Sequence, residues 1–199
     1  MKGMDIMFQT APGVTIPFPD KILEEYQIFK GESICANVSY EKLLALITDF
    51  YRALPEPLFL VMQLPLSIDE ENKMGFEEIL HQEVLYLDGQ TQSQIDTIMT
   101  SYGQLLLSDG LSQFAIASHK SHEEIFIQKY KVVSIYSESP ERYAVLLTKY
   151  GLHKTDQLIT AWDTFSQDYP GECRRICIDG LDTYDVADIL KSKVCIVQK

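Results

Sequence analysis

The chain has 199 residues, 46% of them apolar and 23% charged, a composition that suits one soluble domain and excludes disorder, collagen and coiled coil as global descriptions. Its 29 acidic side chains against 17 basic ones leave a formal charge of -12, which argues against a nonspecific hold on nucleic acid phosphates or on an anionic membrane. The imbalance is lopsided: the first hundred residues hold 6 Lys and Arg against 16 Asp and Glu, the remainder 11 against 13.

No repeat, low-complexity tract or Pro/Ser linker divides the chain, so it reads as one domain over 1–199, with 1–35 an N-terminal arm of weaker pattern. Residues 4–9 could form a short strand, and the segment from Pro12 to Pro19 is expected to be extended. Ile22, Leu23, Tyr26 and Phe29 then follow helical spacing as far as Gly31. A clearer helix follows: Ser39 is its cap, Glu41 lies in the first turn, Leu43, Leu44, Ile47, Phe50 and Tyr51 form the stripe, and Pro55 stops it. The run LFLVMQL, Leu58 to Leu64, predicts a strand covered on both faces. Asp69, Glu70, Glu71, Glu77, Glu78, Glu83 and Asp88 form the densest acidic stretch, opposed by Lys73 alone; it reads as a solvated loop or as a surface for a basic partner.

Val84 to Leu87 predict a strand ending at Asp88-Gly89, and Thr91 with Gln94 forms a capping box before the stripe Ile95, Ile98, Met99, Tyr102, Leu105, Leu106. Three successive strands are expected at Leu111–Ser118, Glu123–Gln128 and Lys131–Tyr136, because period two dominates there. Ser139-Pro140-Glu141 opens a further helix that stops at Gly151. Residues 155–165 fit helix or strand equally. Cys173, Ile176 and Ile178 predict a strand before the turn Asp179-Gly180, Thr183 caps a last helix, and Val194 to Val197 read as a final strand. About four helices and six or seven strands, three of them consecutive, predict an α+β fold with a mixed or mainly antiparallel sheet.

Phosphate-loop, GxGxxG, GxSxG, HExxH and paired CxxC motifs do not occur, and no cofactor is expected. His119, His122 and Glu123 offer metal-ligand chemistry, which would make a small metal-dependent enzyme; a polar hairpin tip explains the same residues. Cys173, Cys177 and Cys195 could supply thiolates, while the Ile and Val around them predict buried, reduced thiols of a cytoplasmic protein. Trp162, the one tryptophan, lies beside Asp163 with Tyr169 close behind; it reads as a core residue next to a turn or as an aromatic anchor for a partner.

The segments FYRALPEPLFLVMQLP, AWDTFSQDYPGECRR and DTYDVADIL, with the size and acidity of the chain, resemble small acidic bacterial proteins of the immunity type, cytosolic partners that neutralise toxins. The resemblance is one of style and transfers no functional residue. It implies a protein-binding module that occludes a basic toxin; the acidic stretch itself then offers Glu70, Glu71, Glu77, Glu78 and Asp88 as charge, and the aromatic patch Trp162, Asp163 and Tyr169 as an anchor.

Overall fold

The computed structural model describes residues 8–29, 33–66 and 81–197, and side chains as far as residue 192. The expected strand at 4–9 lies largely outside these residues. The fold is α+β, with four helices among the described residues. These are α1 (Tyr40–Arg52), α2 (Gln92–Ser108), α3 (Glu141–Lys149) and α4 (Thr183–Val197). The strands are β1 (Val14–Thr15), β2 (Glu25–Phe29), β3 (Ser33–Ala36), β4 (Leu58–Pro65), β5 (Gln82–Gln90), β6 (Gln113–Ser118), β7 (Glu124–Ile127), β8 (Val133–Tyr136), β9 (His153–Lys154) and β10 (Glu172–Cys173). Eight of them form a sheet in the order β5-β4-β6-β7-β8-β3-β2-β9, antiparallel except for β2 with β9; β1 and β10 form a separate pair. The expectation of about six strands falls short because the sequence of β2 reads as part of a helix, β3 carries no periodic signal and β9 is a two-residue pairing; β1 and β10 pair outside this sheet.

Side chains alternate across a strand, so pairing register decides which residues share a face. One face carries two continuous apolar rows: Leu87, Leu60, Ile116, Ile125, Ile135, Ile34 and Ile28, then Leu85, Met62, Phe114, Ile127, Val133, Ala36 and Tyr26. Helical residues of period 3.6 cover these rows: Leu43, Leu46, Ile47 and Phe50 of α1, Ile95, Met99 and Leu106 of α2, Tyr143 and Leu147 of α3, and Val186, Ala187 and Leu190 of α4. All four helices therefore share one face, and one cluster runs from Tyr26 to Leu190. A smaller cluster of Ala11, Val14, Ile16, Ile22 and Ala161 lies apart from it.

Several local expectations are met. Thr91 caps α2 through a complete box with Gln94. Gly151 ends the α3 region at φ 84°, where a side chain would be strained. Ser39 precedes α1, but its hydroxyl accepts from Gln9 N at 3.2 Å instead of capping the helix.

Others are corrected. The helix expected around Ile22–Phe29 is strand β2: Tyr26 and Ile28 alternate into the main core, while Ile22 belongs to the smaller cluster, so their spacing reflects two cores and not one helical stripe. The final strand at Val194–Val197 is the end of α4, which Asp182 starts by accepting from the backbone N–H groups of Tyr184 and Asp185. The cap is thus one residue before Thr183. The strand around Cys173–Ile178 shortens to β10 and one bridge, Ile178 with Leu181. Leu58–Leu64 is covered on one face only, with Leu58, Leu60, Met62 and Leu64 buried and Phe59, Val61 and Gln63 half-buried.

Close backbone contact joins the N-terminal region to the rest. Gly13 N donates to Ser108 O at 2.7 Å, Gly110 N to Arg174 O at 3.0 Å, and Arg174 N to Gly13 O at 2.9 Å. A Cβ on Gly110 would lie 2.0 Å from Gly13 O, so only glycine fits.

Candidate functional site

The face of the sheet opposite the helices is the surface that the fold leaves to be explained. Register places Tyr86, Val61, Ala115, Phe126 and Ser134 in one row on it, and Phe59, Ala117, Glu124 and Tyr136 in the next. Val84 and Tyr86 are 56% and 47% exposed and Tyr136 44%, while Phe59, Val61 and Phe126 are half-buried. An antiparallel sheet with one free face ordinarily turns polar residues outward. Here Ala115 and Ala117 floor a shallow trough along β6, between a ridge of Phe59 and Val61 on β4 and a ridge of Glu124 and Phe126 on β7. Two strand spacings, about 10 Å, separate the ridges. At the far edge the free face is partly crossed: the Gln27 amide donates to Asp156 O at 2.9 Å and accepts from Leu158 N at 3.0 Å.

Asp88 lies at one end of this face. His119 Nε2 is 2.7 Å from Asp88 Oδ1 and 3.2 Å from the Tyr86 hydroxyl, and the imidazole stacks on Phe59 with ring centroids 4.6 Å apart. A carboxylate only accepts, so Nε2 donates to Asp88, and that bond holds the Asp88 carboxyl below its ordinary pKa. Burial, then the charge of Asp88, raises the pKa of Tyr86. The Glu124 carboxylate, on the β7 ridge, has no hydrogen bond or ion pair among the described residues, and burial raises its pKa.

The three residues of the metal reading diverge. His119 turns to Asp88, and His122 is exposed in the hairpin at φ 54°. Glu123 is buried, accepting from Ser137 Oγ and Arg142 Nη1, both at 2.9 Å. Among the described residues no group of three or more His, Cys, Asp and Glu is placed to hold a metal ion. The thiols diverge too: Cys35 is half-buried and pushed up to about 11 by burial, Cys173 is raised by the same cause, and Cys177 is exposed. Cys177 is thus not the sheet-core thiol that its apolar neighbours predict.

Trp162 is 48% exposed and Tyr169 57%, so neither is a core residue. Trp162 packs edge-on against Tyr130, centroids 4.8 Å apart, and beside Phe165 at 5.7 Å; Tyr169 meets Phe18 at 5.4 Å. Asp163 is occupied locally, its Oδ2 accepting from both Thr160 N and Thr160 Oγ1 at 2.8 Å. Tyr130 follows β7, whose last residue pairs at the start of β6, whereas His119 follows the end of β6. Asp88 and Trp162 therefore lie toward opposite ends of a six-residue strand, about 17 Å apart along it. Glu70, Glu71, Glu77 and Glu78 lie outside the described residues. Reading the sequence missed Glu124, Phe59, Val61 and Phe126, although a signal existed: QFAIAS and EIFI are apolar in both alternating positions, so their second face also awaits a cover.

No family model matches the chain, and comparisons with curated proteins and with solved structures give no match. No helix among the described residues is long and apolar enough to cross a membrane.

Proposed function

We propose that this chain is a protein-binding module that captures a basic protein on the face of its sheet that none of the described helices covers, and that the partner is a toxin domain of the kind occluded by small acidic immunity proteins. The observation that carries the reading is the exposed apolar side chains on this face, Val84, Tyr86 and Tyr136 around half-buried Phe59, Val61 and Phe126, edged by Asp88 and Glu124 in a chain of net charge -12. Exposed apolar surface of this kind marks interaction sites, and acidic edges select a basic partner and speed its approach. Glu70, Glu71, Glu77 and Glu78 add long-range charge to that approach; the aromatic group around Trp162 is a separate anchor at the opposite end of the strands.

The test uses the full chain as bait in extract of its native cell, followed by rapid-mixing kinetics with the purified partner. A basic protein co-purifies, and its association rate falls as salt rises. Val61→Asp and Tyr86→Ser, both on the free face, abolish capture without changing the melting temperature by more than a few degrees. Capture that survives both substitutions, or an association rate indifferent to salt, overturns the reading.

A further inference from the structure

Glu124 is the one feature of the trough that an apolar partner surface would not satisfy. A carboxylate removed from water without a partner is unfavourable, and proteins pair such groups or expose them. Glu124 is half-buried and its carboxylate has no partner among the described residues, so a docked partner that covers it must supply one. Ala117, directly opposite on β6, is 3% exposed and too short to reach over it; Tyr136, directly opposite on β8, and Phe126, two residues along β7, stand on the same face. Directly opposed Cβ atoms are about 5 Å apart. A carboxylate with a phenol ring at that spacing, a phenyl ring about 7 Å along the same strand and an alanine floor has the elements of a guanidinium receptor: the oxygens accept N–H bonds while the rings take the planar cation on their faces. An ammonium ion lacks the planar fork and is more strongly hydrated, so arginine fits better than lysine.

We propose that Glu124, Phe126 and Tyr136 form a receptor for an arginine side chain of the docking partner. This rests on the reading of the free face as a docking surface and names the group that the face selects.

N-acetyl-arginine amide is titrated into the 15N,13C-labelled full chain, with N-acetyl-citrulline amide, its uncharged isostere, as control. Saturable shifts appear at Ala117, Glu124, Phe126 and Tyr136 with the arginine compound and not with citrulline. Glu124→Gln weakens binding about tenfold or more, the scale of losing a charged hydrogen bond, and Phe126→Leu weakens it to a smaller extent. Equal binding by Glu124→Gln, equal shifts from citrulline, or shifts confined to other acidic positions overturn the receptor. The two readings fail separately. If arginine binds through Glu124 but Val61→Asp leaves partner capture intact, the docking face is wrong and the receptor stands. If Val61→Asp abolishes capture while Glu124→Gln binds arginine as the parent does, the receptor alone is wrong.

Discussion

Lys131 offers the sharpest test of the electrostatics. Its side chain is 4% exposed, and Nζ donates to Leu106 O at 3.1 Å and Ser112 O at 3.2 Å. Leu106 lies in the last turn of α2, where carbonyls lack helical donors and a cation is favoured. Burial nevertheless dominates and lowers the Lys131 pKa from 10.5 to about 8, against the opposing pull of Asp109 and Cys173. Below about pH 8 both folded and unfolded chains hold the proton, and the folded state bears the full penalty, about 3 kcal/mol at 1.36 kcal/mol per pH unit. Between about 8 and 10.5 the unfolded chain still binds the proton while the folded one has released it, so stability rises with pH. Integrated from pH 7 to 9.5, the rise is about 2 kcal/mol. Lys131→Met removes the charge but leaves Ser112 O without its donor and Leu106 O with only the long Ser112 Oγ bond of 3.4 Å, a cost of about 1–3 kcal/mol for each carbonyl left short. Near pH 7 the two losses are therefore comparable and the variant is close to neutral. Urea unfolding of parent and variant at pH 7, 8, 9 and 9.5, both carrying Cys173→Ser because Lys131 also acts on that thiol, isolates the lysine, since the phenols titrate in both. The parent gains about 2 kcal/mol on the variant across that range; a difference that stays flat or moves the other way refutes the assignment.

Three further outcomes follow from the packing. Leu60→Ala, at a fully buried position in the middle of the inner sheet face, lowers stability by about 2–5 kcal/mol in chemical denaturation. Gly110→Ala forces apart the backbones of Gly13 and Arg174, and hydrogen exchange shows residues 11–16 and 172–174 losing protection before α1 does. Burial raises the Glu124 pKa, so its folded state favours the protonated form and stability from this group falls as pH rises; Glu124→Gln melts higher than the parent at pH 7, and the gap closes as pH drops below the carboxylate range.

How much of this was legible before the fold depended on whether the signal was local. The helix from Ser39 to Pro55 and the Thr91 capping box are complete within one segment, and both are found where the pattern puts them. The segments misread are those whose residues serve two bodies or change period late. Ile22 and Tyr26 imitate a helical stripe only because one fills the smaller cluster and the other the main core. Val194–Val197 imitates a strand because four β-branched and apolar residues carry no period of their own, and an established helix continues through them. The docking face was invisible for a different reason: that all four helices choose the same side of the sheet is decided by tertiary connection. Glu124 therefore reads in sequence as an ordinary outward residue. Trp162 was singled out by composition, but its exposure depends on packing against Tyr130, which register brings alongside from a distant hairpin.

The net charge acquires a second role once the free face is known. Exposed Val84, Tyr86 and Tyr136 beside half-buried Phe59, Val61 and Phe126 would drive copies of the chain together, and a charge of -12 on each copy opposes that contact. The same charge attracts a basic partner, so salt acts on the two associations with opposite sign. Screening shortens from about 30 Å at 0.01 M ionic strength to about 3 Å at 1 M, which weakens partner capture and relieves repulsion between copies. Light scattering of the purified chain accordingly detects growing self-association as salt rises, and Phe126→Asp suppresses it by placing a charge in the trough. Self-association that weakens with salt would mean polar contacts elsewhere on the surface, and the trough would then have no part in it. If scattering and capture both ignore salt, the acidity serves solubility alone and the partner is selected by shape.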